Sequence, residues 1–317
     1  MNDPKLVAFV SRAKLLPDTL VPLTGDASTR CYFRTRAPDA VIMDVRKAPL
    51  ADTQAFLQIN TLLNNIGLRA PRILQHDLDG GFLALEDLGD ALFAQHLAEA
   101  PEDEHALYTA AIDVLVQMQR IATPGDFPQY DTSQMAALGN LAFEWYAPVP
   151  NAETLPVLHH TFEKLDYDPK VFCHRDFHAE NLIWLPMAKG AAQVGILDFQ
   201  DAALCHPAYD LISLLYDARR NVTQATKGIS LERYLSQTGY ARDSFEAAIA
   251  ITTAQRSLRI LGVFARLCLR DRKPHYLSFV PRVWSDLRNA LKHPELRALK
   301  ALCDTHLPAP SPSILNE

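Results

Sequence analysis

Residues 171–201 constrain this chain more than any other stretch. They read V-F-C-H-R-D-F-H-A-E-N-L-I-W-L, a loop, then Q-V-G-I-L-D-F-Q-D. Two short apolar runs, Leu182–Leu185 and Val194–Leu197, have the length and composition of strands and are separated by turn-forming residues, which predicts a hairpin. Asn181 enters the first strand, Asp198 leaves the second, and Asp176 stands five residues before Asn181, after the strand-like Val171-Phe172-Cys173.

H-R-D-x-x-x-x-N followed by a strand ending in D-F is the order in which phosphoryl-transfer enzymes set out a catalytic-loop Asp, an Asn and a metal-binding Asp. A transferred phosphoryl group is highly charged, so hard oxygen ligands are needed to hold Mg²⁺ against the nucleotide phosphates. Asn181 and Asp198 supply such oxygens, and Asp176 is expected to orient an acceptor hydroxyl and take its proton. An isolated H-R-D is common; joined to this spacing and this hairpin it is not. His174 and His178 would suit a metal at i, i+4 only on a helix, and the strand-like approach argues against one. His174 is read as a hydrogen-bonded structural residue of the loop.

H-R-D-F-H-A-E-N-L and G-I-L-D-F-Q-D-A-A-L resemble the aminoglycoside-phosphotransferase-like family of the protein-kinase-like fold. More narrowly they resemble its bacterial cell-wall amino-sugar kinases, which act at the anomeric hydroxyl of N-acetylmuramate and N-acetylglucosamine. L-T-G-D-A-S-T-R-C-Y-F-R at 23–34, L-A-L-E-D-L-G-D at 83–90 and F-A-R-L-C-L-R-D-R-K-P-H-Y-L at 264–277 extend the resemblance over most of the chain. It implies an α+β, two-lobe fold that uses ATP and Mg²⁺, with a small antiparallel-sheet N-lobe and a larger, mainly helical C-lobe. Gly25, Asp26, Ala27, Ser28, Thr29 and Arg30 would cover the phosphates. The backbone of Glu86, Asp87 and Leu88 would meet the adenine edge, so side-chain changes there are expected to matter little. His178 and Glu180 fall at substrate-facing positions, and Asp210 would brace the catalytic loop.

The residues themselves support that division. Cys31–Arg34, Val41–Met43, Arg72–Leu74 and Phe82–Leu85 read as strands. Phe56, Ile59, Leu62, Leu63 and Ile66 are spaced for a helix that Gly67 would cap. Beyond Glu86–Asp90 the pattern turns helical, with Leu107, Ala111, Leu115 and Met118 on one face, so the boundary is drawn as 1–88 and 89–317.

Two features depart from typical kinases. The third strand reads V-I-M-D-V-R-K, with Met43 or Asp44 where a phosphate-binding Lys is usual, and the next helix offers Gln54 and Gln58 but no Glu. Arg46, Lys47 and Arg30 are the candidate replacements. Arg256, Arg259, Arg266 and Arg270 form a narrow seam on an otherwise apolar helix, at about 100° per residue. Such a seam needs acidic partners. They are expected within the fold; the competing reading has Arg259 and Arg266 facing substrate.

A net charge of -6 gives no general attraction to nucleic acid or to an anionic membrane, and the expected partner is a small hydroxyl-bearing molecule, a sugar. Five scattered cysteines, odd in number and without a C-x-x-C pair, argue against a disulfide framework or zinc knuckle and point to the cytoplasm. No window reaches the ~18 apolar residues of a membrane span. The Pro-rich 307–312 tail is expected to fray. The rival functions are phosphorylation of an aminoglycoside, a choline-like alcohol or another metabolite, and, because the Lys is missing, a nucleotide-binding regulatory module without catalysis.

Overall fold

The computed structural model describes residues 3–23, 30–36, 38–167 and 170–311. In chain order its elements are α1 (Pro4–Arg12), β1 (Val21–Leu23), β2 (Cys31–Thr35), β3 (Ala40–Asp44), α2 (Leu50–Asn65), β4 (Ile73–Asp77) and β5 (Phe82–Glu86). Helices α3 (Phe93–Glu99), α4 (Glu104–Met118), α5 (Thr132–Leu141) and α6 (Asn151–Phe162) follow. Then come β6 (Val171–Cys173), β7 (Leu182–Trp184), β8 (Val194–Ile196) and β9 (Ala203–Cys205). The chain closes with α7 (Ala208–Leu215), α8 (Gln224–Thr238), α9 (Arg242–Leu269), α10 (Val280–Ala290) and α11 (Arg297–His306). By compactness it divides into one unit of Met1–Ile121 with Glu180–Ala202, and another of Ala122–Ala179 with Ala203–Glu317. The five-stranded sheet ends at Glu86 and the helices resume at Phe93, whereas the compact sheet-bearing unit runs on to Ile121, past the boundary drawn after residue 88, and takes in the 180–202 hairpin as well.

In the first unit β1–β5 form one antiparallel sheet in the order β1-β2-β3-β5-β4. Alternation aims Ala40, Ile42, Phe82 and Ala84 at one face, where they form a core with Leu6, Phe9 and Val10 of α1. Phe9 stacks on Phe82 with ring centroids 5.4 Å apart. Leu83 and Leu85 are buried as well, so β5 is covered on both faces. Helix α2 ends as its sequence predicts: Gly67 has φ +81°, a left-handed backbone that glycine adopts without steric cost.

The β7–β8 hairpin is tied into this unit by main-chain bonds, Trp184 N–H to the Ala91 carbonyl (2.8 Å) and Ile196 N–H to the Arg69 carbonyl (2.8 Å). Gly195 makes the fit possible, because a Cβ there would lie 2.9 Å from Leu88 Cδ1 and 3.2 Å from Ile183 Cβ.

The second unit is organised on α9, which packs against α5, α7 and α10. Its fully buried Leu258 and Leu261 explain the apolar pattern read from sequence. Gln255, also buried, donates to the Tyr130 hydroxyl (2.8 Å) and the Met135 carbonyl (3.2 Å). Strands β6 and β9 pair antiparallel and deliver the chain to the His174 loop. At the C-terminal end, Leu307 is buried and the Pro308 carbonyl accepts from the Tyr146 hydroxyl (3.0 Å), so the tail is anchored at least this far. Among the described residues no helix is long and apolar enough to cross a membrane.

Candidate active site

The loop that carries Asp176 leaves β6 under tight constraint. Asp210, fully buried in the first turn of α7, accepts from the N–H of His174 (2.5 Å) and of Arg175 (2.8 Å). Burial pushes the Asp210 carboxyl up, against the opposing pull of His174 and these two N–H groups. His174 is buried, and its Nδ1 accepts from the Asp176 N–H (3.2 Å), which bears out its structural reading. Arg175 is held at φ +76°, a conformation a non-glycine residue adopts only where its surroundings fix it.

Helix α9 adds two arginines to the same loop. Arg256 donates to the Arg175 carbonyl (3.2 Å) and lies over the Tyr209 ring (5.1 Å). Arg259 donates to the Tyr209 hydroxyl (2.9 Å) and brings its guanidinium to 3.8 Å from Asp176 Oδ1. Burial would raise the Asp176 carboxyl, but Arg259 and Arg256, with smaller help from His178 and His174, outweigh it and hold it at about 2. Asp176 is thus a firmly ionised carboxylate.

The arginine seam therefore serves two ends. Arg256 and Arg259 serve the Asp176 loop, whereas Arg270 pairs with its neighbour Asp271 (2.7 Å). The Arg266 Nε is buried without a hydrogen-bond partner among the described residues, its charge acts on Asp271, and no contact among the described residues ties it to the Asp176 loop. Tyr209 and the loop-holding role of Arg256 were missed from sequence, although the 100° spacing already put Arg256 and Arg259 on one face.

The first unit gathers the other motif residues. Leu197 N–H donates to the Asn181 carbonyl (2.9 Å), which fixes Asn181 across the hairpin from the residue before Asp198. Asp198 has φ +58°, is exposed, and accepts from Gln200 Nε2 at Oδ1 (2.9 Å). Phe199, the next residue, stacks on Phe56 (4.8 Å), over which the Arg30 guanidinium lies at 6.0 Å. Burial raises the Tyr32 hydroxyl, with Arg30 opposing the rise and Asp198 adding to it. Arg46 instead pairs with Asp44 and Asp3 and stacks over Phe82 (4.7 Å), and Lys47 is exposed. Of the three candidates for the missing Lys, Arg30 reaches the residue after Asp198 through the Phe56 ring, whereas Arg46 is committed to Asp44 and Asp3. Gly25–Thr29, read as the phosphate-covering turn, lie outside the described residues.

Glu86 and Asp87 correct an expectation. Their side chains are anchored rather than idle: the Glu86 carboxylate binds Arg69 (2.5 Å) and Arg72 (3.1 Å), and the nearly buried Asp87 carboxylate binds Arg34 (2.7 Å). The Glu86 N–H is also spent, on the Arg72 carbonyl (2.8 Å). Leu88 is buried and makes no main-chain hydrogen bond among the described residues.

Asn181 and the exposed Asp198 lie toward the same end of the hairpin and carry oxygen donors, and among the described residues no three His, Cys, Asp or Glu side chains cluster to hold a metal. Donors of this kind fit Mg²⁺, which keeps waters and takes one or two protein oxygens together with substrate phosphates. Glu180 is exposed, and His178, between the buried Phe177 and Ala179, is partly buried.

Residues 19–245 match the model of the phosphotransferase enzyme family, APH. An N-acetylmuramate/N-acetylglucosamine kinase of Caulobacter vibrioides is 38% identical over 90% of this chain and 91% of its own. One of Pseudomonas aeruginosa is 33% identical over 94% and 92%. Among solved structures, the ADP-bound aminoglycoside phosphotransferase APH(2'')-Ib aligns with a TM-score of 0.62 at 13% identity, covering 92% of this chain and 99% of its own. Choline kinase LicA from Streptococcus pneumoniae gives 0.60 at 17%, covering 90% and 98%. The structural likenesses speak for the fold, which is α+β and kinase-like as expected.

Proposed function

Since the chain belongs to the phosphotransferase enzyme family, we propose that it is a cytoplasmic kinase that transfers the γ-phosphoryl group of ATP to the anomeric hydroxyl of an N-acetylated amino sugar. The observation that carries this reading is the similarity, 38% and 33% identity over 90% and 94% of the chain, to two N-acetylmuramate/N-acetylglucosamine kinases, joined to an Asp176 loop held by Asp210, Arg256 and Arg259.

Each residue then has a task. Leu88 offers its main-chain groups to the adenine edge, and Arg30, with the 25–29 turn, meets the phosphates. Asn181 and Asp198 would hold Mg²⁺, which when bound neutralises phosphate charge. Asp176 accepts a hydrogen bond from the acceptor hydroxyl and aligns its oxygen. A carboxylate held at about 2 is a weak base, and an anomeric hydroxyl, more acidic than an ordinary alcohol, asks little of it. Asp176 thus acts chiefly by positioning. The intact set around it also favours a catalyst over a regulatory module.

Phosphorus NMR on reactions with N-acetylmuramate, N-acetylglucosamine and their 1-O-methyl glycosides tests the reading. Sugar 1-phosphates from the free sugars alone are expected. Equal phosphorylation of the glycosides, or transfer only to an aminoglycoside or choline, would refute it.

A further inference from the structure

The segment that joins β5 to α3 is held from two sides by arginines of the first unit. On one side Arg69 and Arg72 take the Glu86 carboxylate. On the other, Arg34 of β2 forks onto two carboxylates. Its Nη1 and Nη2 donate to Asp90 Oδ2 (2.8 Å) and Oδ1 (2.7 Å), Nη2 also donates to Asp87 Oδ1 (3.1 Å), and Nε lies 2.7 Å from Asp87 Oδ2. Asp87 Oδ1 in turn accepts from the Gly89 N–H (2.9 Å), and Gly89 has φ +85°. Leu88 stands between the two anchored aspartates, with its side chain against Gly195.

Strand register explains the reach. Arg34 pairs with Val41 and Val41 with Leu85, so the three stand in one row across β2, β3 and β5, on the face opposite Ala40, Ile42 and Ala84. Asp87 follows Leu85 by two residues, just past the end of β5, and the long arginine crosses two strand spacings, about 10 Å, to meet it. The Arg34 and Asp87 side chains are 12% and 6% exposed, so salt screens this pair little. A planar guanidinium that serves two carboxylates fixes the direction of both, which a point charge does not. Residues 87–91 belong to no helix or strand, and a segment that orders only when its ligand arrives weakens that ligand's binding. The fork orders this one beforehand.

Resting on the placement of Leu88 at the adenine edge proposed above, we infer that Arg34 is a positioning residue for the nucleotide base: through Asp87 and Asp90 it clamps the linker so that the Leu88 main chain is set before the base arrives. Its charge is spent on the linker, not on the phosphates. It therefore serves the base-bearing half of the nucleotide, whatever number of phosphates follows.

The test is calorimetric titration of the full chain with ATP, AMP and inorganic tripolyphosphate, which has no base. Arg34→Met keeps an unbranched stem and removes the fork. It is expected to weaken ATP and AMP alike, by roughly tenfold, the cost of ordering about one residue on binding, and to leave tripolyphosphate unchanged. Arg34→Lys should recover little, because one ammonium cannot hold both carboxylates in the fork geometry. In steady state the loss should fall on KM for ATP, with kcat near the parent's once ATP saturates. Parent-like ATP and AMP binding in Arg34→Met, or an equal loss of ATP and tripolyphosphate, would overturn the assignment. If Arg34→Met lowers the melting temperature enough to obscure its titrations, Asp90→Ala decides instead. Its side chain is 74% exposed, so its removal should spare the fold and weaken AMP by a smaller factor; parent-like AMP binding there would overturn the assignment. A parent that binds ATP no better than tripolyphosphate would overturn the Leu88 reading itself, and this inference with it.

Discussion

Arg259 holds its guanidinium 3.8 Å from the Asp176 carboxylate while donating to the Tyr209 hydroxyl at 2.9 Å. The second contact fixes the direction of the first, so the charge that keeps Asp176 ionised is part of the packed helix rather than a mobile surface group. Its effect is to favour the anion, at the expense of basicity.

The pH dependence follows with a definite sign. The folded carboxyl is held at about 2, below its ordinary 3.8. Its ionised form, and whatever stability and activity depend on it, is complete above about pH 4 and is lost only as pH falls through about 2. The kcat/KM profile of the parent should therefore show no acid limb from Asp176 between pH 5 and 8. Arg259→Gln should raise the carboxyl and bring a limb up toward that range. Superimposable profiles would show that Arg259 does not hold Asp176 ionised.

Asp210→Ala strands the N–H groups of His174 and Arg175, each a loss of about 1–3 kcal/mol where water cannot replace the acceptor. We expect a melting temperature lower by several degrees and a kcat reduced far more than nucleotide affinity, because the misplaced group is Asp176. Asp210→Asn, which retains one carbonyl oxygen, should fall between the two. A full-rate Asp210→Ala enzyme would mean that Arg256 alone suffices to shape the loop.

The motif residues were legible because their chemistry fixes both identity and spacing: Asp176, Asn181 and Asp198 sit on the strand-bounded loop and hairpin that the apolar runs required. The five-stranded sheet was legible except for β1, whose Val21-Pro22-Leu23 is too short to show an alternating pattern. What sequence could not give were tertiary pairings. The anchoring of Glu86 by Arg69 and Arg72 depends on strand register, and the tie between Arg259 and Asp176 joins residues 83 positions apart.

Gly262 tests the packing on which that tie depends. A Cβ placed there would lie 2.2 Å from the Leu141 backbone carbon and 2.4 Å from its oxygen, so α9 and the end of α5 touch through the missing side chain. In an isolated helix Ala is favoured over Gly by up to about 1 kcal/mol, but here the clash is with backbone and overpacking of this kind costs roughly 1–3 kcal/mol. Gly262→Ala should lower the denaturation midpoint, and a rise in stability would show that α9 can shift freely.

Arg30 offers the sharpest test of the nucleotide side. It lies over Phe56, which stacks on the residue after Asp198, and Arg46 is committed to Asp44 and Asp3. If Arg30 supplies the positive charge that a third-strand Lys supplies elsewhere, Arg30→Ala should weaken ATP binding by roughly tenfold, and Arg30→Lys should recover much of it, because a point charge suffices for a phosphate. Removal of the charge should weaken ATP more than AMP, since AMP lacks the outer phosphates. Arg46→Ala should instead cost stability and leave the nucleotide unaffected. Calorimetric titration of the three variants with ATP and AMP separates the cases. Equal losses for ATP and AMP in Arg30→Ala would make Arg30 a support for the Phe56–Phe199 stack, and a selective ATP loss in Arg46→Ala would move the phosphate charge to Arg46.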